Sequence, residues 1–393
     1  MMELIRLFLD QGWQVTFASP AAETEHMADL TSLGVQTALI KVNDSSFDAF
    51  AAETSPDIVL FDRFMMEEQF GWRIEKVCPN ALRMIELIDL HLLRDARHRL
   101  SKASQCVATD VDDAELFSDI ARREIASVYR SDLTLLISDY EERLLEERFS
   151  IPASLLHLTP FMFDESDIVH PTPSFKERQG FITIGNFRHA PNWDSVRWLK
   201  EAIWPLIRKQ LPEAELHIYG SYPPKKATQL DRPEDGFHLR GWAPDALEVM
   251  QQARVCLAPL RFGAGIKGKL ADAMLAGTPN VTTSVGAEAM SGELPWSGLI
   301  EEDAKSFAKA AAALYKDEKE WLKCQANGFN IISQLFNKQK NSEFLISRIL
   351  QLKDRLEEHR QTNFVGGMLR HHHQRSTEFM SRWIEEKNKN LSE

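Results

Sequence analysis

Two periods alternate along this chain. MMELIRLFLDQGW sets Leu4, Ile5, Leu7 and Phe8 on one helical face, and QVTFAS follows with the spacing of a strand. TEHMADLTSLG predicts a helix closing at Gly34, and VQTALIKV a strand. A short helix around FDAFAAET, the buried strand DIVLFD ending at Asp62, the helix EEQFGWRIEKVC and the strand ALRMIEL continue the series. Residues 89–130 are more polar and read as helical, with DVDDAE in a loop. LTLLIS, DYEERLLEERF and LLHLTP then resume as strand, helix and strand. Short apolar strands alternating with helices imply an α/β fold, a parallel sheet covered on both faces.

The stretch DESDIVHPTPSFKERQ, at 164–179, holds four acids and two prolines without periodicity and reads as a linker. A second α/β unit starts after it with the strand GFITIGNF and the long amphipathic helix PNWDSVRWLKEAIWPLIRKQLP. Pro191 suits that helix's first turn, and Asn192 or Asp194 can cap or favour its positive end. AELHIYG, GFHLRGW, RVCLAPL and PNVTTS read as further strands, and almost everything beyond them as helix. The expected domains are 1–165 and 178–335, with a helical extension over 336–393.

At 393 residues, two domains are the natural expectation. The net charge of −12 argues against a mostly electrostatic contact with nucleic acid, and local basic clusters stand out against it. Cys78, Cys106, Cys256 and Cys324 are far apart and form no CxxC pair, which fits a reducing compartment and speaks against a disulfide framework or a zinc site. No apolar run reaches bilayer length and no signal peptide opens the chain, so a cytoplasmic location is expected.

The densest chemistry is RFGAGIKGKLADAMLAGTP, 261–279. Gly263 to Lys269 satisfies GxxxxGK, most of a P-loop, but Leu270 stands where magnesium needs a Ser or Thr hydroxyl. What remains is a glycine-rich loop between a strand and a helix, where free N–H groups and the helix dipole meet an anion. Arg261, Lys267 and Lys269 would supply charge for a pyrophosphate; a tight turn with solvated lysines is the other reading of the same residues. DVDD, 110–113, contains a DxD but sits in a polar loop. His371–His373 point in three directions from a helix and read as a surface feature. Asp89, His91 and Arg94 lie just beyond a strand, as do Asp62 and Arg63, where ligands gather in such sheets.

PLRFGAGIKGKLADAMLAGTPNVTTSVGAEAM resembles the donor-binding segment of the retaining "group one" glycosyltransferases, and 180–220 resembles the opening of that family's second domain. The first half resembles the family more loosely, through DIVLFDRF and IDLHLLRDAR. The resemblance implies a GT-B fold: two Rossmann-like domains facing across a cleft, with C-terminal helices. It implies a nucleotide-sugar donor, a saccharide or other small acceptor, retention at the anomeric carbon, and no required metal or other cofactor. Peripheral association with a membrane is kept open. Position by position, Arg261, Lys267 and Lys269 match donor-phosphate residues, Asp272 the carboxylate on the ribose, Gly185 the first glycine turn, with Arg188 and Gly265 beside them. Glu288 falls in the GAE element next to the donor, and His91, with Asp89, near the sugar. Two departures are visible: Asp272 replaces a glutamate, and Ala264 stands where the commonest members carry a second one. Two rival readings from the residues are a P-loop-like nucleotide hydrolase and a catalytically weak GT-B-fold binding protein.

A Rossmann-like domain opens with a central strand, and this chain opens with the helix that follows one. The expectation is a truncated gene product or fragment, with an unfilled position in the first sheet and lowered stability.

Overall fold

A computed structural model describes residues 1–22, Thr24 and 27–390, apart from the side chains of 372–375 and Asn390. The first unit runs α1 (Met2–Asp10), β1 (Thr16–Ser19), β2 (Gln36–Leu39), α2 (Ser46–Thr54), β3 (Ile58–Asp62), α3 (Phe64–Val77) and β4 (Leu82–Leu87). It continues with α4 (His91–Ser104), α5 (Asp113–Leu116), α6 (Asp119–Arg130), β5 (Leu133–Leu136), α7 (Asp139–Phe149) and β6 (Leu156–Leu158). All its strand pairs are parallel, but they form two sheets: β1–β2, and β3-β4-β5-β6. Among the described residues no ladder joins β1 to β3. Both sheets still pack on shared cores. Leu4, Leu7 and Phe8 of α1 bury against Leu82, Met84, Leu133 and Leu135 of β4 and β5, with Val15 and Ile58 alongside. Each such buried side chain contributes roughly 1.5–3 kcal/mol relative to exposure.

The helix expected over 24–34 is absent in the part described: Thr31–Leu33 is a single 3₁₀ turn closed by Gly34 at φ 81°. Glu25 and His26 lie outside the described residues. The side chain of Asp29 accepts from Ser32 N at 3.1 Å, a local bond that competes with a helix. Only Leu30 of the expected apolar stripe is buried, Met27 and Leu33 being exposed.

The second unit contains β7 (Phe181–Ile184), α8 (Ala190–Trp198), α9 (Trp204–Gln210), β8 (Leu216–Tyr219), α10 (Lys225–Thr228), β9 (Phe237–Gly241), α11 (Ala246–Gln252) and β10 (Val255–Ala258). After it come α12 (Gly268–Leu275), β11 (Asn280–Thr282), α13 (Ser284–Ala287), β12 (Gly298–Ile300) and α14 (Ala304–Lys316). Its six strands form one parallel sheet in the order β12-β11-β10-β7-β8-β9. That is the doubly wound order, and its topological switch lies between β7 and β10. The long helix expected from Pro191 is continuous but passes through a π turn at Leu199–Ile203. Pro205 stands just beyond that turn; without an N–H it cannot extend a regular ladder, and a π turn is one way to accommodate it. Asn192 and Asp194 do not cap this helix: His189 is the N-cap residue and no side chain caps it.

α15 (Glu318–Leu335) packs on α12, and α16 (Lys338–Asp354), α17 (Leu356–Thr362) and α18 (Phe364–Asn390) return to the first unit. Leu345, Ile349 and Leu352 join the core of α1, β4 and β5. Arg360 clamps Asp132 through two bonds of 2.8 and 2.7 Å. Of the described residues, no helix is long and apolar enough to cross a membrane. Cys78, Cys106, Cys256 and Cys324 are unpaired.

Candidate active site

The carboxyl ends of β7 and β10, on either side of the switch, lead into the two loops that sequence singled out. After β7, Gly185 brings the chain so close to Asn192 that a Cβ would lie 2.6 Å from its side-chain nitrogen. After β10, residues 262–267 are buried, whereas Gly268 is exposed, with open space where its Cβ would point. Gly268 begins α12, whose N-terminus carries no side-chain cap. Unsatisfied N–H groups and the positive dipole end therefore face an opening, as an anion site requires.

The cations around that opening are not equivalent. Lys269 is half-buried, not solvent-facing as its place in the loop suggests, and donates to Asn192 Oδ1 at 2.7 Å. Lys267 is buried, with Nζ on the Gly265 carbonyl. Burial pushes both ammonium groups down to about 8; Glu288 partly offsets this for Lys267, as Asp272 does for Lys269. Asp272, one turn into α12, is pushed up to about 6 by burial. Arg188 lies 3.7 Å above the Tyr222 ring. Arg261 is already engaged: it forks onto Asp194 at 2.8 and 2.5 Å and reaches Gln105 of the first unit at 3.1 Å.

The first unit supplies the facing wall. Asp89 is buried and ion-paired with Arg94; His91 Nε2 lies 3.7 Å from Asp89 Oδ1, and its ring meets Phe64 edge-on. Burial and the Arg94 cation hold His91 down at about 4, so its imidazole is neutral near pH 7. Gly265 is where the walls touch. At φ 65°, a Cβ there would sit 2.7 Å from Ile88 O and 3.0 Å from Asp89 Cβ. The structure thus brings Asp89, His91, Gly265, Lys267 and Glu288 together from both halves of the chain.

Four residues at this junction carried no signal in the sequence. Arg97, on α4, is buried and forks onto Glu288 at 2.7 and 2.6 Å, with a further bond to Gly263 O at 3.1 Å. Glu141 and Glu124 are fully buried and accept backbone N–H groups at the start of α4. His189, the N-cap residue of α8, has its pKa pushed down by burial and by the Arg94, Lys269 and Lys267 cations. The DxD is spent locally, since Asp112 caps α5 by accepting from Glu115 N at 3.0 Å. His372 and His373 have side chains outside the described set. Among the described residues, no group of three or more His, Cys, Asp or Glu could hold a metal ion.

Comparison with known proteins bears on the fold and on the second unit. Residues 178–317 match the family model described as glycosyl transferases group 1. Anabaena Alr3699/HepE, solved in complex with UDP and glucose, superposes with a TM-score of 0.64 at 14% identity, over 88% of this chain and 95% of that one. A variant of S. aureus TarM, in complex with Fondaparinux, alpha-GlcNAc-glycerol and UDP, gives 0.59 at 13%, over 78% and 58%. The pneumococcal O-GlcNAc transferase GtfA, in complex with UDP and GlcNAc, gives 0.57 at 17%, over 78% and 59%. The chain therefore spans under two thirds of the length of TarM and GtfA. No curated protein sequence matches it. The fold is that of the GT-B glycosyltransferases. Its second unit carries a domain of the glycosyl transferases group 1 family.

Proposed function

We propose that this protein is a glycosyltransferase that moves a sugar from a nucleoside-diphosphate donor, held by the second unit, to a saccharide or other small acceptor at the first. Retention at the anomeric carbon is part of the proposal, on the resemblance alone. The observation that carries the reading is the uncapped, open N-terminus of α12 at Gly268, at the switch point of its sheet, with Lys267 and Lys269 beside it. As the glycosidic bond breaks, negative charge grows on the departing diphosphate; fixed N–H groups and cations stabilise it there. Lysines near pKa 8 are about nine-tenths charged at pH 7, and a bound diphosphate raises that fraction. Asp272 addresses the ribose. Arg188 and Gly185 line the donor side, and Arg261 braces the loop through Asp194. Neutral His91, with Asp89 behind it, offers the sugar a hydrogen-bonding imidazole without adding positive charge to the site.

The P-loop reading is weakened by Leu270, which is fully buried where a metal-binding hydroxyl would stand. A cytoplasmic setting is supported by the unpaired cysteines. For a membrane contact, the support is one face of α18, where Phe364, Met368, Phe379, Met380 and Trp383 are exposed. The test of the main reading is a thermal-shift panel of UDP-, GDP- and ADP-sugars followed by transfer assays. A nucleotide-dependent rise in Tm with transfer supports it. A rise without transfer or donor hydrolysis favours a binding protein, and no rise with any member at millimolar concentration overturns the reading.

A further inference from the structure

The start of α4 presents three successive backbone N–H groups, and two fully buried carboxylates accept them. Glu124, from α6, takes His91 N at 3.0 Å and Leu92 N at 2.9 Å. Glu141, from the first turn of α7, takes Leu90 N at 3.0 Å. The same Glu141 oxygen, Oε1, also accepts Gly265 N at 2.7 Å, from the loop of the other unit. Its second oxygen, Oε2, is buried with no hydrogen-bond partner among the described residues. Neither glutamate has a direct cationic partner among the described ion pairs.

We propose that Glu141 is a positioning residue, whose charged carboxylate seats the Gly265 turn of the donor loop against the start of α4 and so sets how the two units close on the donor. This rests on the donor reading of that loop. The turn is pinned from two sides, since Gly265 can carry no side chain against Ile88 O and its N–H is held by Glu141. Ser138 fixes the glutamate in turn, accepting from Glu141 N at 3.3 Å as the cap of α7. A neutral amide would satisfy the same two N–H groups at lower desolvation cost, so shape alone does not require a charge there.

The charge makes the contact responsive to protons. Burial pushes Glu141 up to about 7; Asp89, on the loop before α4, adds to this and Lys267, on the donor loop, opposes it. Glu124 from α6 and Arg97 from α4 also feel it, and Glu288 attracts the Lys267 ammonium. Protonation weakens a carboxylate as an acceptor, because its bonds to N–H groups are charge-assisted only when ionised. The Gly265 bond therefore loosens as pH falls through about 7. Glu124, bonded only to α4, gives the matching carboxylate with no arm across the junction.

The test is amide hydrogen exchange of the 260–268 segment, corrected for intrinsic rates, from pH 6 to pH 8, with UDP affinity by calorimetry at the same pH values. Wild type should lose about tenfold in protection and several-fold in UDP affinity toward pH 6. Glu141→Gln should hold both nearly constant, and Glu124→Gln should keep the wild-type response. Glu141→Ala should expose the segment at every pH. A Glu141→Gln variant that still follows the wild-type pH response, or a wild-type segment whose protection is flat from pH 6 to pH 8, would overturn the proposal. So would loss of the response in Glu124→Gln, which would mark a shared helix-cap effect. If wild type bound no UDP, the donor reading would fall, and the exchange measurement on wild type and the two glutamine variants, which needs no ligand, would still decide whether Glu141 seats the loop.

Discussion

Removing Arg97 tests whether the two units are held together at the site itself. The guanidinium is 1% exposed and forks onto Glu288, which is 15% exposed, across the junction. Breaking a buried pair by deleting one partner costs about 3–5 kcal/mol, because the remaining charge is left without compensation. Here the lower end applies, since Lys267 still attracts the orphaned Glu288 and that carboxylate is not fully dry. Arg97→Met should therefore destabilise by about 3 kcal/mol. Glu288→Gln keeps an acceptor for the guanidinium and should cost about 1.5 kcal/mol. The double variant removes both charges and should cost about 3 kcal/mol, giving a coupling of about 1.5 kcal/mol.

Calorimetric melting of the four proteins reads this out. With an unfolding entropy of about 2.1 cal/mol/K per residue, 393 residues melting as one unit give about 0.8 kcal/mol/K, so the Arg97 variant should lose about 4 °C. If the double variant's loss equals the sum of the single losses within about 0.5 kcal/mol, the two groups do not act as a pair and the junction is held by something else.

Other expectations follow from the same geometry. Lys269→Met should weaken UDP binding by roughly 10- to 100-fold, the worth of a charged hydrogen bond, while moving Tm by little; unchanged affinity in calorimetry would remove the lysine from the site. Asp272→Asn should weaken UDP but spare pyrophosphate, since the carboxylate is assigned to the ribose, and equal losses would show that assignment wrong. His157 is held down at about 4 by burial and by Arg348. The unfolded chain takes up a proton between about pH 6.5 and pH 4 that the folded chain refuses, so this histidine costs stability as pH falls through that window. Relative to wild type, His157→Gln should gain stability there, and a pH-independent difference in Tm would refute the cause. Glu124 runs the other way: burial pushes it up to about 8. The folded chain keeps a proton that the unfolded chain releases above about pH 4.5, so stability is lost as pH rises toward 8, and Glu124→Gln should gain on wild type over that range.

The second unit was legible because its strands and helices are long enough, relative to their turns, for period to declare them. GFITIG, LHIY and VCLA are buried strands bounded by glycine or proline, and each forms a ladder in the central sheet. The long helix was read through Pro205 correctly, although the π turn at Leu199–Ile203 that accompanies it leaves no mark in an amphipathic pattern. The helix over 24–34 failed for the opposite reason. Its apolar positions come three apart for barely two turns, and with one of them buried there is little packing energy to set against local bonds such as Asp29 to Ser32.

At the site, candidates could be read in both units, but the pairings that cross between the units could not. Arg261, Lys267, Lys269 and Asp272 could be singled out because they fall within one loop and helix, where glycines and cations close together in sequence mark a candidate anion site. Arg97 could not: in HLLRDARHRL it is one arginine among three, and its carboxylate partner lies 191 positions away. Glu141 sits in DYEERLLEERF beside Glu142, with nothing local to say that one is fully buried and the other is not. On an isolated first unit, both would be read as polar positions on amphipathic helices. Besides their partners within the first unit, Leu90 N for Glu141 and Thr109 O for Arg97, each reaches across to the 263–265 loop, Glu141 to Gly265 N and Arg97 to Gly263 O. The loop cations are thus a property of a segment, whereas the residues that aim them are a property of closure. Substitutions at Arg97 and Glu141 should for that reason disturb the relation between the units while leaving each unit's own sheet intact, and separate hydrogen-exchange protection of β4–β5 and β7–β10 in those variants would show it. If Arg97→Met or Glu141→Ala opened either sheet as readily as the junction, these residues would be ordinary core members, and the site's geometry would have to be set elsewhere.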